Sequence, residues 1–247
     1  MRQPGAVPPR TYVLVHGAWH GGWCWARVEP HLRAAGHRVF APSLTGLGDR
    51  AHLFGSSVTL ATHVQDVLAL LEAEELDGEI VLVGHSYGGN VISGVADVLR
   101  ERIAHYVFVD AVVPLPGATR WRWADFNSDV ERRARLEAVR LHGAGVALAP
   151  PPASAFGVTD PVDVAWLERR LRPMPIGCYL GEIALGRGGS EGLPRTYVAA
   201  AAPPYPPMQP VYDRVSRSAD WIWKTLPTGH DMMVTAPAAL ASLLLAV

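Results

Sequence analysis

The chain has 247 residues, 49% hydrophobic and 18% charged, enough to bury one substantial core. A formal net charge of −1 and a pI near 6.8 exclude the basic footprint of a nucleic-acid or anionic-membrane binder. The two cysteines, Cys24 and Cys178, lie far apart, form no metal or redox spacing, and read as reduced thiols.

The opening "MRQPGAVPPR" carries too much proline and too short an apolar run for a signal peptide. No segment approaches the ~20 apolar residues that cross a bilayer, so a soluble, cytoplasmic domain is expected. Six β-rich runs follow: Thr11–His16, His37–Ala41, Glu79–Gly84, Ala104–Asp110, Thr196–Ala201 and Trp221–Leu226. The first four are dense in Val, Leu, Ile, Phe and Tyr, as strands buried on both faces of a parallel sheet require. Between them, "THVQDVLALLEAEEL" repeats Val64, Val67, Leu68 and Leu71 at helical spacing, and "YGGNVISGVADVLRE" and the terminal "APAALASLLLAV" also read as helices. This alternation predicts an α/β fold, a doubly wound and mostly parallel sheet.

The rhythm breaks from Pro114 to Pro194, where no clear strand is visible. The charged helical run "DVERRARLEAVRLHG" precedes the proline-rich "APPPASAFG". An insertion at that point predicts a mainly helical cap (114–194) over a core made of 1–113 and 195–247. Trp121, Trp123, Phe126, Phe156 and Trp166 give it enough apolar bulk to fold back.

The strongest chemical signal is "IVLVGHSYGGNVI". A buried strand runs into Gly84-His85-Ser86-Tyr87-Gly88 and a helix begins, which is G-x-S-x-G in the strand–turn–helix setting of a nucleophile. The helix start behind Ser86 offers unpaired N–H groups to developing negative charge. Acyl transfer also needs two amides aimed at the oxyanion. Tyr87, after the nucleophile, and Ala18, in the turn "VLVHGAWHGGW", are the candidates. His16 and His20 in that turn have i, i+4 spacing, but the segment follows a strand and lacks the glutamate of a zinc helix, so no metal site is expected. His52, His63 and His142 read as loop or solvated helix-face residues.

Together, "HGAWHGGWCW", "APSLTGLGDRAHL", "THVQDV", "VGHSYGGNVI", "YVFVDAVVP" and "TGHDMM" make the chain resemble the α/β-hydrolase superfamily. The narrower resemblance is to the branch of small bacterial esterases, plant methylesterases and hydroxynitrile lyases. It implies Ser86 as nucleophile, His230 as general base, and Ala18 and Tyr87 as oxyanion donors. His230 also follows the last predicted strand, at the same sheet edge as Ser86 if the strands are parallel. The lyases of the branch carry a threonine at the position of Gly17 and a lysine at that of Asp231; with Lys224 the only lysine, cyanohydrin cleavage is not expected.

The branch usually keeps its triad acid just after the strand that leaves the cap, here around Ala202 and Pro203. Yet "RTYVAAAAPPYPPMQPVY" contains no carboxylate, and Asp213 falls in the following helix. Asp110, which ends the strand after the nucleophile strand, is the substitute expected, with Asp231 and Asp125 as weaker alternatives. An unpaired carboxylate ending a buried strand would otherwise cost several kcal/mol.

The expectation is a serine hydrolase of an ester or thioester with a sizeable apolar part, working through an acyl-enzyme on Ser86. No metal or organic cofactor is implied, and the partner is a small apolar molecule. Trp19, Trp121, Trp123 and Phe126 are the candidate pocket residues, with cap core as their alternative role. A lyase or cyclase using the same Ser/His site without an acyl-enzyme remains open. So does a non-catalytic ligand-binding protein on this scaffold, because architecture alone does not choose among them.

Overall fold

The computed structural model describes residues 9–247. Its centre is a sheet of six strands: β1 (Thr11–Val15), β2 (Arg38–Phe40), β3 (Ile80–His85), β4 (Ile103–Val109), β5 (Arg195–Ala200) and β6 (Ile222–Leu226). Each matches an expected run to within two residues at either end, the usual uncertainty of a strand boundary. Their order is β6-β5-β4-β3-β1-β2, with every neighbouring pair parallel.

Burial on both faces explains the unbroken apolar runs. Ile80 and Leu82 of β3 turn to one face, with Val67 and Leu71 of α2 (Leu60–Ala73) and Val91 and Val95 of α3 (Gly88–Val98). Val81 and Val83 turn to the other, against Leu32, Leu240 and Leu244. Helix α2 starts at a reciprocal cap: Thr62 N–H donates to Thr59 Oγ1 at 3.4 Å and Thr59 N–H to Thr62 Oγ1 at 3.1 Å. The chain reverses its winding at β1, so the carboxyl ends of β1 and β3 flank the switch point, where open α/β sheets bind ligands. The two loops leaving those ends hold Ala18 and Ser86.

The segment between β4 and β5 is helical at Asp129–His142 and Pro161–Glu168, with one further turn at Gly177–Leu180. It also contains four strands of two or three residues: Arg120–Arg122 pairs antiparallel with Glu182–Ala184, and Ala147–Leu148 with Met174–Pro175. Pieces so short show no alternating pattern in sequence. Three hydrogen bonds tie the segment to the loops at the sheet's carboxyl edge. Trp19 Nε1–H donates to Leu148 O at 3.0 Å, Arg172 N–H to Trp19 O at 2.9 Å, and Asp231 N–H to Phe156 O at 3.1 Å. Among the described residues no helix is long and apolar enough to cross a membrane.

Candidate active site

Ser86 sits on the turn from β3 into α3 with φ of +52°, in the left-handed region. Such backbone costs roughly 1–3 kcal/mol and persists only when its surroundings enforce it. Here Ser86 N–H donates to Val109 O at 3.1 Å, and Ser86 O accepts from Val112 N–H at 3.0 Å. The tightness of the turn explains Gly88, where a Cβ would lie 2.8 Å from Val15 O and 2.9 Å from His16 O. The loop after β1 approaches just as closely: a Cβ on Gly17 would stand 2.8 Å from His85 Nδ1 and 3.0 Å from Ser86 Cβ. Among the described residues, neither Tyr87 N–H nor Ala18 N–H donates to a protein acceptor.

Two histidines hold the Ala18 loop. His16 Nε2 accepts from Leu44 N–H at 3.0 Å, so its proton is on Nδ1 and goes to Gly17 O at 2.8 Å. That carbonyl shares its peptide with the Ala18 N–H, so His16 sets the orientation of that amide. Burial lowers the His16 pKa to about 3, which keeps the ring neutral. His20 differs. Its Nδ1–H donates to Ala18 O at 2.7 Å and its Nε2–H to Asp231 Oδ2 at 3.0 Å, so both nitrogens carry protons. Burial pulls its pKa down, but the charge and hydrogen bond of Asp231, with the Ala18 carbonyl, outweigh burial and raise it. All four ring nitrogens of the i, i+4 pair are thus engaged by protein groups.

His230 Nδ1 lies 2.6 Å from Asp110 Oδ2, although the two residues are 120 apart in sequence. Asp110 has φ of +44° and is fully buried. Its Oδ1 accepts from Ala200 N–H at 3.0 Å and from the Tyr212 hydroxyl. Three donors on one buried carboxylate offset the loss of water around it. Tyr205 stacks on His230, ring centroids 3.9 Å apart and planes 24° off parallel. Behind it, His85 Nε2–H donates to His230 O at 3.2 Å and the two rings lie 4.6 Å apart. Burial, then the nearby His230 and His20, push the His85 pKa well below the ordinary value.

Among the described residues no hydrogen bond joins Ser86 Oγ to His230, a link that often tightens only with substrate bound. The other acids are engaged elsewhere. Asp231 faces His20, Asp125 pairs with Arg122 at 2.8 Å, and exposed Asp213 accepts from Gln209 Nε2 at 2.9 Å. The stretch without a carboxylate instead supplies the Ala200 amide, the Tyr205 ring and the Tyr212 hydroxyl. Sequence reasoning passed over both tyrosines, since nothing local marks a tyrosine as a partner for an acid on another strand.

A cavity of about 490 Å³ borders the site, walled by Trp19, Tyr205, Val139, Leu148, Pro151 and Arg135 among others. Of the four aromatics expected to line a pocket, only Trp19 lines this one. Trp121 is 3% exposed and donates its Nε1–H to Asn90 Oδ1 at 2.7 Å. Trp123 packs against Tyr87 at 5.0 Å and Tyr179 at 5.2 Å. Phe126 lies in a separate cleft with Pro210 and Arg214. Trp121 borders that cleft too, and Trp121 and Trp123 are buried, as large rings that pack an inserted segment on the core are.

His63 is also corrected. It is fully buried; Nε2–H donates to Thr45 O at 2.9 Å, and Nδ1 accepts from Tyr87 O–H at 3.0 Å. Its place three residues after Leu60 and four before Val67 put it on the apolar stripe of α2, a signal present in the sequence.

Residues 12–243 match the family described as the alpha/beta hydrolase family. The chain is 41% identical over 241 residues to a carbendazim hydrolyzing esterase from Nocardioides sp. (strain SG-4G), covering 96% of this chain and 98% of that protein. Methylesterase 3 of Arabidopsis thaliana is 35% identical over 129 residues, 51% of this chain and 49% of its own length. An extracellular alpha/beta-hydrolase from a Paenibacillus species has the same fold, with a TM-score of 0.81 at 24% identity, over 96% of this chain and 98% of that one.

Proposed function

The chain belongs to the alpha/beta hydrolase family and is an esterase-like hydrolase, and we propose that it cleaves a sizeable, mainly apolar ester through an acyl-enzyme on Ser86. His230 Nε2 takes the Ser86 proton as Oγ attacks the carbonyl carbon. The amides of Ala18 and Tyr87 hold the oxyanion, and His230 returns the proton to the departing alkoxide. Water, deprotonated by His230, then attacks the acyl carbon and Ser86 leaves with its proton restored. Asp110 keeps His230 in the tautomer with Nε2 free and stabilises the imidazolium.

The observation that carries this reading is the contact of Asp110 with His230 Nδ1 at 2.6 Å. It leaves Nε2 as the nitrogen available to a serine. In the same reading, residues 114–194 are the cap on a core of 1–113 and 195–247, and the cavity beside Trp19 and Tyr205 takes the apolar part of the substrate.

The test is intact mass in the first seconds of reaction with excess p-nitrophenyl acetate, beside Ser86→Ala. An acetyl-sized gain that requires Ser86 supports the proposal. Ester hydrolysis by folded protein that is undiminished in Ser86→Ala would sink it. Carbendazim, an aromatic methyl carbamate, is the second substrate to assay, because the relative sharing 41% identity is named for it.

A further inference from the structure

Helix Asp129–His142 lays one of its four arginines, Arg135, against the cavity. Arg132 pairs with Asp129, and Arg140 with Glu137 at 2.6 Å. Arg135 is different: it lines the cavity, and among the described residues no acid lies within ion-pairing distance of it. Its guanidinium carbon sits 5.1 Å from the ring centre of Trp123 and 5.1 Å from that of Tyr179. Tyr179 is in turn held by its hydroxyl, which donates to Asn127 Oδ1 at 2.9 Å. The arginine is therefore fixed in place by two aromatic side chains.

One edge of the fork is committed to nothing. Arg135 Nη1 is buried and has no hydrogen-bond partner. The acid that shares the cavity wall, Glu131, caps the helix with Oε2, which accepts from Ser128 N–H at 2.8 Å and from Ser128 Oγ–H at 2.7 Å; the Arg135 charge reaches it without a direct ion pair. Tyr205, the ring stacked on His230, shares the cavity wall. An arginine set against two aromatic rings, in a mostly apolar wall shared with the tyrosine that covers the proposed catalytic histidine, has the features of a carboxylate receptor.

We propose that Arg135 is a specificity-determining residue, and that the enzyme favours esters whose apolar body ends in a carboxylate remote from the scissile bond. The apolar body fills the cavity and the carboxylate accepts from Arg135, whose geometry suits two parallel N–H···O bonds. Glu131, His142 and Tyr205 are the other titratable groups on the cavity wall. Glu131 adds a negative charge that a carboxylate must avoid, so chain length should matter sharply. The inference rests on the esterase reading for its choice of ligand, but its test does not require turnover.

In Ser86→Ala protein, tryptophan fluorescence titrations would compare the monomethyl esters of C4 to C8 dicarboxylic acids with methyl alkanoates of matched length. At one chain length or more, the carboxylated ester should bind about tenfold tighter or better, the scale of a charge-assisted hydrogen bond. Arg135→Gln should abolish that preference, and Arg135→Lys should retain part of it. The ratio within each variant is read, so a change in overall affinity does not obscure it. Equal affinities at every length in the parent protein would overturn the proposal whether or not the variants fold. A preference that survives Arg135→Gln would overturn it as well. Failure of the Ser86 adduct experiment would instead count against the acyl-enzyme and leave this binding result to stand or fall alone.

Discussion

Asp110 Oδ2 and His230 Nδ1 meet at 2.6 Å, bridging the end of β4 and the loop after β6. Strand β5 lies between those two in the sheet, so the contact crosses over its end. The carboxylate is held there by Ala200 N–H, at the end of β5, and by Tyr212 O–H from the helix beyond it.

Asp110→Asn should keep the fold, because an amide oxygen can still accept from Ala200 and Tyr212. Turnover should fall by about 10³–10⁴, the effect of losing the correct histidine tautomer in a triad. A loss under about tenfold in kcat, with an unchanged melting curve, would contradict the proposed role. Asp110→Ala should also lose about 2–4 kcal/mol of stability, since two buried donors lose their acceptor.

Tyr212→Phe removes one of the three hydrogen bonds and leaves the other two. Stability should drop by about 1–2 kcal/mol. The kcat should fall by less than in the asparagine variant, because the carboxylate still holds His230 Nδ1. Loss as deep as that of Asp110→Asn would mean that the tyrosine, and not the carboxylate alone, carries the function.

Gly17→Thr adds a β-branched side chain to the loop after β1, beside Ser86. A Cβ there would meet His85 Nδ1 at 2.8 Å and Ser86 Cβ at 3.0 Å. Overpacking of this kind costs about 1–3 kcal/mol. Thermal unfolding should register it, together with a loss of esterase activity from displacement of Ser86. A fully stable and active variant would show that the loop after β1 yields more easily than its packing implies.

Acid should destabilise this protein earlier than carboxylate titration alone would. Burial, the leading cause, lowers the His16 pKa to about 3 and the His63 pKa to about 4; burial also drives His85 well below its ordinary value. An unfolded histidine titrates near ~6.5, so between these values the unfolded state binds protons that the folded state refuses. Stability is therefore complete above about pH 6.5 and falls as pH drops toward 4. At pH 5 the loss is up to roughly 2 kcal/mol each for His16 and His63. His20 works the opposite way: its raised pKa gives stability that is full below ~6.5 and lost as pH climbs through the raised value. Urea unfolding at pH 7, 6 and 5 checks this, and a flat response down to pH 5 would contradict it.

Asp231→Asn should cost roughly 3 kcal/mol, because it leaves the buried His20 without its counter-charge. The NMR titration of His20 should then shift downward. An unmoved His20 would mean that the Ala18 carbonyl alone keeps the ring protonated.

Periodicity and local turn chemistry made much of this molecule legible in advance. The six strands follow from apolar runs buried on both faces, and the placement of Ser86 follows from glycines flanking a strand–turn–helix, because those constraints act over a few residues. The short strands between β4 and β5 and the burial of His63 were not read from sequence, and the choice between pocket and core for Trp121 and Trp123 stayed open there. An aromatic ring or a histidine looks the same in a line of text whether it faces a cavity or the core.

Among Asp110, Asp231 and Asp125, which the sequence offered in that order, the tertiary structure decided which meets His230, since the contact joins residues 120 apart and depends on the parallel order of three strands. It also decided that Asp231 pairs with His20 and that Arg135 lines the cavity without a direct ion pair. Strand order and the path of the inserted segment bring those groups together, and both are set by how a whole chain buries its apolar surface at once.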